Sequence, residues 1–228
     1  MAFLDEGTQA QVKEVFEPIT QEVELLVFTG GDLVIPGKDA TGHQKETLEL
    51  LKEVASLNDK ITVTETPLAG NKEAKEAGIT LAPTIVFREK GSDRLNTRFA
   101  GIPSGYEFQT LVEAILLFGT KKPLATDTAK EELTGIKDNV TMQIFVTPTC
   151  PYCPKAVLTA IGLAYDNENI VAEGVDANEF PIASQANKIS GVPDAIIAVN
   201  GKTTEERILG AQPERVFVES ILKVAPAA

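Results

Sequence analysis

The stretch Val146-Thr-Pro-Thr-Cys-Pro-Tyr-Cys-Pro154 contains both cysteines of the chain, Cys150 and Cys153, separated by two residues. It follows an apolar run, Thr141–Val146, that is typical of a buried strand. A thiolate is the nucleophile in disulfide exchange, and a second thiol three residues on can displace the mixed disulfide that the first one forms. The spacing therefore predicts a dithiol–disulfide redox centre.

Three other interpretations of the two cysteines are weaker. A closed structural zinc site needs four Cys or His ligands, and two cysteines with the single histidine, His43, leave it one ligand short. A structural disulfide across so small a loop would remove little entropy from the unfolded chain. Two unrelated core cysteines can also fall at this spacing by chance. We therefore expect redox chemistry with no metal and no cofactor beyond the redox-active disulfide.

Composition limits the class of protein. The 228 residues, 43% hydrophobic and 24% charged, have room for two small domains with real cores. A net charge of −12 argues against binding to nucleic acid or to an anionic membrane, because both favour a basic surface. No stretch approaches the roughly 20 apolar residues of a spanning helix, and the first residues do not resemble a signal peptide. We expect a soluble, cytoplasmic protein, which fits the absence of further cysteines.

The two halves of the chain repeat one pattern. The matching segments agree in order, spacing and residue type, which is the signature of an internal repeat. They are Val23–Thr29 with Thr141–Thr147, Leu81–Phe87 with Gly191–Ile197, Phe99–Gly101 with Ile208–Gly210, and Leu111–Leu116 with Phe217–Leu222.

Each half also predicts the same order of elements: helix, strand, helix, strand, short helix, hairpin and helix. The opening helices are predicted at Thr8–Ile19 and Thr128–Ile136, and Asn200-Gly201 is a hairpin turn signal. A parallel strand pair followed by an antiparallel pair gives an α/β fold with a mixed four-stranded sheet. This is the thioredoxin fold, present twice, and we expect units at 1–120 and 128–228 joined by a linker at 121–127.

The motif lies at a strand-to-helix junction, which predicts different roles for its two thiols. We expect Cys150 to be the helix N-cap and Pro151 the first helical residue, so that free N–H groups and the helix dipole favour the Cys150 thiolate. Cys153 then faces the core one turn later. Cys150 is the expected exposed, attacking thiol and Cys153 the buried, resolving one. Pro154 would remove the first intrahelical hydrogen bond.

These features together resemble the protein disulfide oxidoreductases of thermophilic archaea and bacteria, two-unit glutaredoxin-like proteins. The resemblance rests on the two halves, on Val146–Pro154 and on Gly191-Val-Pro193. It implies that Cys150 attacks the substrate disulfide and that Cys153 resolves the resulting mixed disulfide. It also implies that Pro193 is a cis-proline bordering the substrate groove. Val192, Pro151 and Tyr152 flank these positions and are candidate substrate contacts. The family acts on protein disulfides, typically with electrons from a thioredoxin-reductase-type flavoenzyme.

One departure from that family is clear. Its members commonly carry a C-x-x-C motif in both halves, whereas here Gly30–His43 replaces the first motif with a longer, glycine-rich segment. A single-site, two-unit arrangement is also similar to the N-terminal domain of the flavoprotein that reduces bacterial peroxiredoxins. Phe99–Phe108 resembles a segment of that domain. The resemblance therefore adds a peroxiredoxin as a candidate partner. The missing first motif argues against isomerase activity more than against reductase activity.

Three charged residues are candidate modulators. Lys155 would add to thiolate stabilisation, although a solvated lysine in the first helical turn is the simpler interpretation. Asp194 would raise the pKa of Cys150 if its carboxylate lay near the thiols, and strand alternation would equally well point it away. Asp176 is a candidate buried proton acceptor, a solvated loop acid being the default expectation.

Two further functions remain as alternatives to the enzyme. A protein-binding module could use the dithiol only as a redox sensor, and partner binding would then survive alkylation. A glutathione-bridged iron–sulfur cluster would give a coloured protein. The reduction potential is not predictable from the motif, since such centres span roughly −270 to −120 mV.

Overall fold

The computed structural model describes residues 3–30 and 43–227. Within these ranges the chain forms eight helices and eight strands. The first half comprises α1 (Glu6–Val15), β1 (Val23–Thr29), α2 (Gln44–Ala55), β2 (Ile61–Pro67), α3 (Lys72–Glu76), β3 (Thr84–Glu89), β4 (Thr97–Ala100) and α4 (Glu107–Thr120). The second half comprises α5 (Asp127–Leu133), β5 (Val140–Val146), α6 (Cys153–Asp166), β6 (Ile170–Asp176), α7 (Pro181–Ala186), β7 (Asp194–Val199), β8 (Lys202–Leu209) and α8 (Glu214–Val224).

The predicted elements are present, but some of their ends differ. Helix α1 begins two residues before the predicted start because Asp5 is its N-cap, with the carboxylate accepting a hydrogen bond from Thr8 N at 2.7 Å. It ends four residues early, at Val15, because Pro18 disfavours helical backbone just before it. The N-cap residue and the proline therefore determine where α1 begins and ends, which the apolar periodicity alone does not specify.

The strands of both halves form the predicted thioredoxin arrangement. The strand order is β2-β1-β3-β4 in the first half and β6-β5-β7-β8 in the second. The first two strands of each half are parallel, and the remaining neighbours are antiparallel. The predicted fold class, two tandem thioredoxin-like units, is confirmed. The unit boundaries at 120 and 128 stay a prediction.

The two four-stranded sheets join into one sheet of eight strands, which the sequence did not predict. Strand β4 pairs parallel with β6, so that Thr97–Ala100 lies beside Ala172–Val175. All four residues of β4 are buried. Without a neighbour, such an edge strand would expose unpaired backbone groups, and pairing with β6 covers them.

Helices cover the two faces of the sheet unequally. The larger core lies under α1, α2, α4, α5, α6 and α8, and it includes both cysteines. Two smaller clusters lie on the opposite face, one near α3 and one near α7. Of the helices in the described ranges, none has the length and apolar character needed to cross a membrane.

A buried ion pair crosses the seam between the halves. Arg98 on β4 and Glu173 on β6 are register partners, each with a side chain only 2% exposed, and Nε lies 2.9 Å from Oε1. Gln143 donates a hydrogen bond to the other carboxylate oxygen of Glu173 at 2.7 Å. Arg98 also donates to the carbonyl of Ala77, the C-cap of α3, at 3.0 Å.

Candidate active site

The two cysteines form a disulfide in the turn between β5 and α6, with Cα atoms 5.5 Å apart. Helix α6 begins at Cys153 with Tyr152 in the cap position, so the predicted start, with Cys150 as the N-cap and Pro151 as the first helical residue, is wrong. Pro154 explains the difference. A proline is tolerated only in the first helical turn, and here it occupies the second position, where its missing N–H removes no intrahelical bond.

Cys150 and Cys153 differ in solvent exposure, but the difference is smaller than the predicted one between an exposed and a buried thiol. Cys153 is fully buried, whereas Cys150 is 8% exposed. Cys150 is thus the more accessible of the two, yet the prediction of an exposed Cys150 is wrong for the disulfide form. Its Sγ lies 3.9 Å from the carbonyl oxygen of Val192, which partly covers it.

The loop that covers Cys150 contains the candidate cis-proline. The Val192–Pro193 peptide bond is cis, and the matching Ala82–Pro83 bond of the first half is cis as well. Pro193 is buried and Val192 half-buried. The carbonyl of Pro193 accepts a hydrogen bond from Gly210 N at 2.8 Å, which fixes the loop to the end of β8.

The exposed rim of the disulfide is formed by the residues between and after the cysteines. Tyr152 is 70% exposed, and Pro151 and Lys155 are exposed as well. Pro151 and Lys155 also line a cavity of about 410 Å³ together with Gln109 and Glu113 of α4. The first half therefore forms one wall of the surface beside the motif. The roles of Pro151, Tyr152 and Lys155 stay predictions.

Asp194 points away from the disulfide. Its register partner is Phe145, and both lie on the sheet face that α7 covers, opposite the face that carries the cysteines. The side chain is 1% exposed and forms an ion pair with Arg207 of β8, whose Nε donates to Oδ1 at 2.7 Å. Of the two orientations considered for Asp194, strand alternation selects the one away from the thiols.

Asp176 is buried rather than solvated, so the default expectation of a loop acid is wrong. It ends β6 with 2% of the residue exposed, on the sheet face that α6 covers. Asn178 N donates a hydrogen bond to Oδ1 at 2.9 Å. The pKa of Asp176 is raised to about 6, mainly by burial and also by the nearby charge of Glu179, against the lowering effect of the hydrogen bond from Asn178.

A second buried carboxyl group, Glu107, was missed by the sequence analysis. It is the first residue of α4 and is 1% exposed. Thr110 donates a hydrogen bond to Oε2 at 2.6 Å, while Oε1 has no hydrogen-bond partner among the residues that the structure describes. Burial raises the pKa of Glu107 to about 7, and the charge of Asp176 contributes to the increase. In sequence Glu107 resembles any acidic residue in a first helical turn, so no local signal distinguished it.

The first half also contacts the active-site turn directly. Tyr106 N donates a hydrogen bond to the carbonyl of Pro148 at 2.9 Å, two residues before Cys150. Gly105 has a φ of +58°, and a Cβ placed on it would lie 2.3 Å from that same carbonyl oxygen. The half without cysteines is therefore packed against the turn that positions them.

The half of the chain that carries the C-x-x-C motif matches a known protein family. The model of the family described as "Thioredoxin domain" matches residues 140–223. This segment is therefore similar to thioredoxin domains. The matched segment carries the disulfide at its strand-to-helix turn, where a dithiol–disulfide pair can exchange electrons.

Similarity to known proteins extends over nearly the whole chain. An alkyl hydroperoxide reductase subunit of Pseudomonas putida is 27% identical over 209 residues, which are 92% of this chain and 36% of that protein. The chain thus spans about a third of the length of the curated relatives it matches.

Two solved structures share the two-unit architecture. One is the alkylhydroperoxide reductase AhpF of Enterococcus faecalis, with 28% identity and a TM-score of 0.80, over 96% of this chain and 99% of that one. The other is a protein disulfide oxidoreductase of Aeropyrum pernix, with 26% identity and a TM-score of 0.82, over 99% and 95% of the two chains. Both resemblances inferred from the sequence are confirmed.

The described residues contain no group of three or more His, Cys, Asp or Glu side chains that could hold a metal ion. The absence of a metal and of any cofactor beyond the disulfide stays a prediction. The glycine-rich segment between Gly30 and His43 lies, apart from its two ends, outside the described residues.

The buried Glu107 is expected to make stability depend on pH. Its pKa is about 7 in the folded protein against an ordinary value of 4.5, so ionisation opposes folding. The free energy of unfolding should therefore be highest below about pH 4.5, as far as this group is concerned, and fall as the pH rises to 7. Glu107→Gln should remove this decline, which is on the order of 3 kcal/mol between pH 5 and 8.

Urea unfolding at several pH values measures the effect. Glu6→Gln is the matched control, because Glu6 is also the first residue of a helix but is exposed. We expect the slope of stability against pH to change in the Glu107 variant alone. Equal slopes in the wild type and the Glu107 variant would contradict a raised pKa at this position.

Proposed function

We propose that the protein is a thiol–disulfide oxidoreductase that acts on protein disulfides through its single Cys150–Cys153 centre. The observation that carries the proposal is a disulfide at the strand-to-helix turn, covered by the loop of cis-Pro193, within a two-unit thioredoxin fold. This arrangement leaves the more accessible sulfur, Cys150, beside a loop backbone that a substrate polypeptide can approach.

The proposed exchange proceeds in two balanced steps. The thiolate of reduced Cys150 attacks one sulfur of the substrate disulfide, forms a mixed disulfide and releases the first substrate thiolate. Cys153 then attacks the Cys150 sulfur, which restores the protein disulfide and releases the second substrate thiolate. Two electrons pass from the dithiol to the substrate. Cys153 must lose a proton, and the burial and raised pKa of Asp176 support a role as its acceptor.

Regeneration of the dithiol requires an electron donor. A thioredoxin-reductase-type flavoenzyme or another thiol donor would supply it, and a cytoplasmic location would keep the centre reduced. The acidic net charge of −12 supports protein partners over nucleic acid or an anionic membrane.

Reduction of insulin tests the proposal. Purified protein with a small dithiol should accelerate the precipitation of reduced insulin, and protein alkylated at both cysteines should not. The absence of acceleration would contradict the enzyme. If partner binding also survived alkylation, the protein would instead be a binding module with a redox-sensing dithiol.

A second candidate function is electron transfer to a peroxiredoxin. It is favoured by the similarity of 92% of the chain to the alkyl hydroperoxide reductase subunit of Pseudomonas putida, whose name links it to peroxide reduction. This chain would then carry electrons from a flavoenzyme to the peroxiredoxin. Peroxide consumption in a mixture of this protein, a thioredoxin reductase and a bacterial peroxiredoxin tests it. A rate equal to that without the protein would exclude the shuttle while leaving the insulin assay as the test of the broader function.

A further inference from the structure

Asp194 directly follows cis-Pro193, and its carboxylate is buried against the guanidinium group of Arg207. The side chain is 1% exposed, and Arg207 reaches it with two nitrogens, one of them 2.7 Å from Oδ1. A buried carboxylate is tolerated only when it is paired and hydrogen-bonded. Because it points away from the cysteines, an effect of Asp194 on the dithiol must pass through the backbone rather than through direct contact.

Arg207 also binds the other end of the loop that carries the cis-proline. Its Nη1 donates to the carbonyl of Asn187 at 3.2 Å, and its Nη2 to that of Lys188 at 3.3 Å. Asn187 is the C-cap of α7, the helix that precedes this loop. The guanidinium group therefore joins β8, the start of β7 and the end of α7. The segment 189–193 is held at both ends by one side chain.

The segment 189–193 contains the backbone atoms that cover the sulfur of Cys150. The carbonyl oxygen of Val192 lies 3.9 Å from Sγ of Cys150, and the Pro193 carbonyl is fixed by Gly210 N at 2.8 Å. A displacement of the loop would therefore change the distance between the cis-proline and the sulfur that a substrate must reach.

The first half provides an internal comparison. Arg98 precedes Phe99-Ala-Gly as Arg207 precedes Ile208-Leu-Gly, and it too binds the C-cap carbonyl of the preceding short helix, Ala77. Its carboxylate partner, however, is Glu173 on the neighbouring strand β6.

The residue after the cis-proline of the first half is Thr84, which carries no charge and donates a hydrogen bond to the carbonyl of Leu81 at 2.8 Å. Both halves therefore keep the arginine. Only the half with thiols takes its carboxylate partner from the residue next to the cis-proline, where the pair can fix the loop.

We propose that the Asp194–Arg207 ion pair is a positioning device that holds the segment 189–193 so that a disulfide-bearing polypeptide can dock beside Cys150. The proposal rests on the proposed function in protein disulfide exchange. Asp194 and Arg207 are positioning residues, since they act through Val192 and Pro193. Small disulfides need no docking along the loop and should depend little on the pair.

Steady-state kinetics with two substrates test the role. Arg207→Ala should raise KM for insulin disulfides about tenfold, the usual scale for a lost charge-assisted hydrogen bond, with kcat little changed. The rate with the small substrate 2-hydroxyethyl disulfide should stay close to that of the wild type. Arg207→Lys should recover part of the insulin KM, because it keeps the charge but not the planar group that spans three acceptors.

Controls separate positioning from a loss of stability. Arg88→Ala breaks the ion pair with Glu24, a half-buried pair of similar kind (2.8 Å, side chains 14% and 12% exposed) in the first half. It should leave both KM values unchanged. The double variant Asp194→Asn with Arg207→Gln avoids an unpaired buried charge and keeps the test available if Arg207→Ala does not fold.

The outcomes also separate the two proposals. An active wild type whose Arg207 variants keep the insulin KM, or shift it no more than Arg88→Ala does, would overturn the positioning role alone. An equal loss with both substrates would also overturn it, because it would indicate general damage. A wild type that fails to reduce insulin but reduces 2-hydroxyethyl disulfide would overturn the proposed function, and the positioning role with it.

Discussion

Replacement of Cys150 by serine is expected to lower the rate of protein disulfide exchange by at least about a thousandfold, because the attacking thiolate is lost and a serine hydroxyl does not replace it. Cys153→Ser should also stop multiple turnover, but for a different reason. Cys150 could still attack, and the mixed disulfide with substrate would accumulate because no second thiol resolves it.

Mass spectrometry under non-reducing conditions distinguishes the two variants. The chain has no cysteine other than Cys150 and Cys153, so a mixed disulfide in Cys153→Ser must pass through Cys150. The double serine variant gives the background. Accumulation of the adduct in Cys150→Ser instead would reverse the assigned roles, although Cys153 is fully buried and Cys150 is 8% exposed in the disulfide form.

The features that the sequence predicted well are local or repeated. The C-x-x-C spacing between Cys150 and Cys153 needs only a few residues to be recognised. The fold followed from apolar periodicity observed twice, because each half served as a check on the other. The cis bond before Pro193 was expected from the family resemblance, and spacing alone would not have supported it.

The features that were missed depend on contacts between distant segments. Glu107 and Asp176 are far apart in sequence, but both are buried and lie close enough in the fold for the charge of Asp176 to raise the pKa of Glu107. Nothing near either carboxyl group in sequence signals this burial. The start of α6 also differs from the prediction, because Pro154 is compatible with the first helical turn only when the helix begins at Cys153 rather than at Pro151.

Among the glycines of the described residues, Gly105 is expected to tolerate alanine least, since the substitution adds an atom where the two halves touch. The new Cβ would lie 2.3 Å from the carbonyl oxygen of Pro148, far inside van der Waals contact. That oxygen is held by Tyr106 N at 2.9 Å, so it cannot move without breaking the hydrogen bond. Together with the positive φ, we expect a loss of roughly 3–5 kcal/mol in the free energy of unfolding.

Gly91→Ala is the control that separates the steric contact with Pro148 from the cost of placing alanine at a positive φ. Gly91 also has a positive φ, +82°, but no atom of the described residues lies within 4 Å of its added Cβ, so its substitution should cost only about 1–2 kcal/mol. Urea unfolding of both variants measures the difference. At a temperature where both remain folded, only the Gly105 variant should lower kcat/KM for insulin, because the displaced Pro148 carbonyl lies two residues from Cys150. Equal effects of the two substitutions would show that the cysteine-free half does not support the active-site turn.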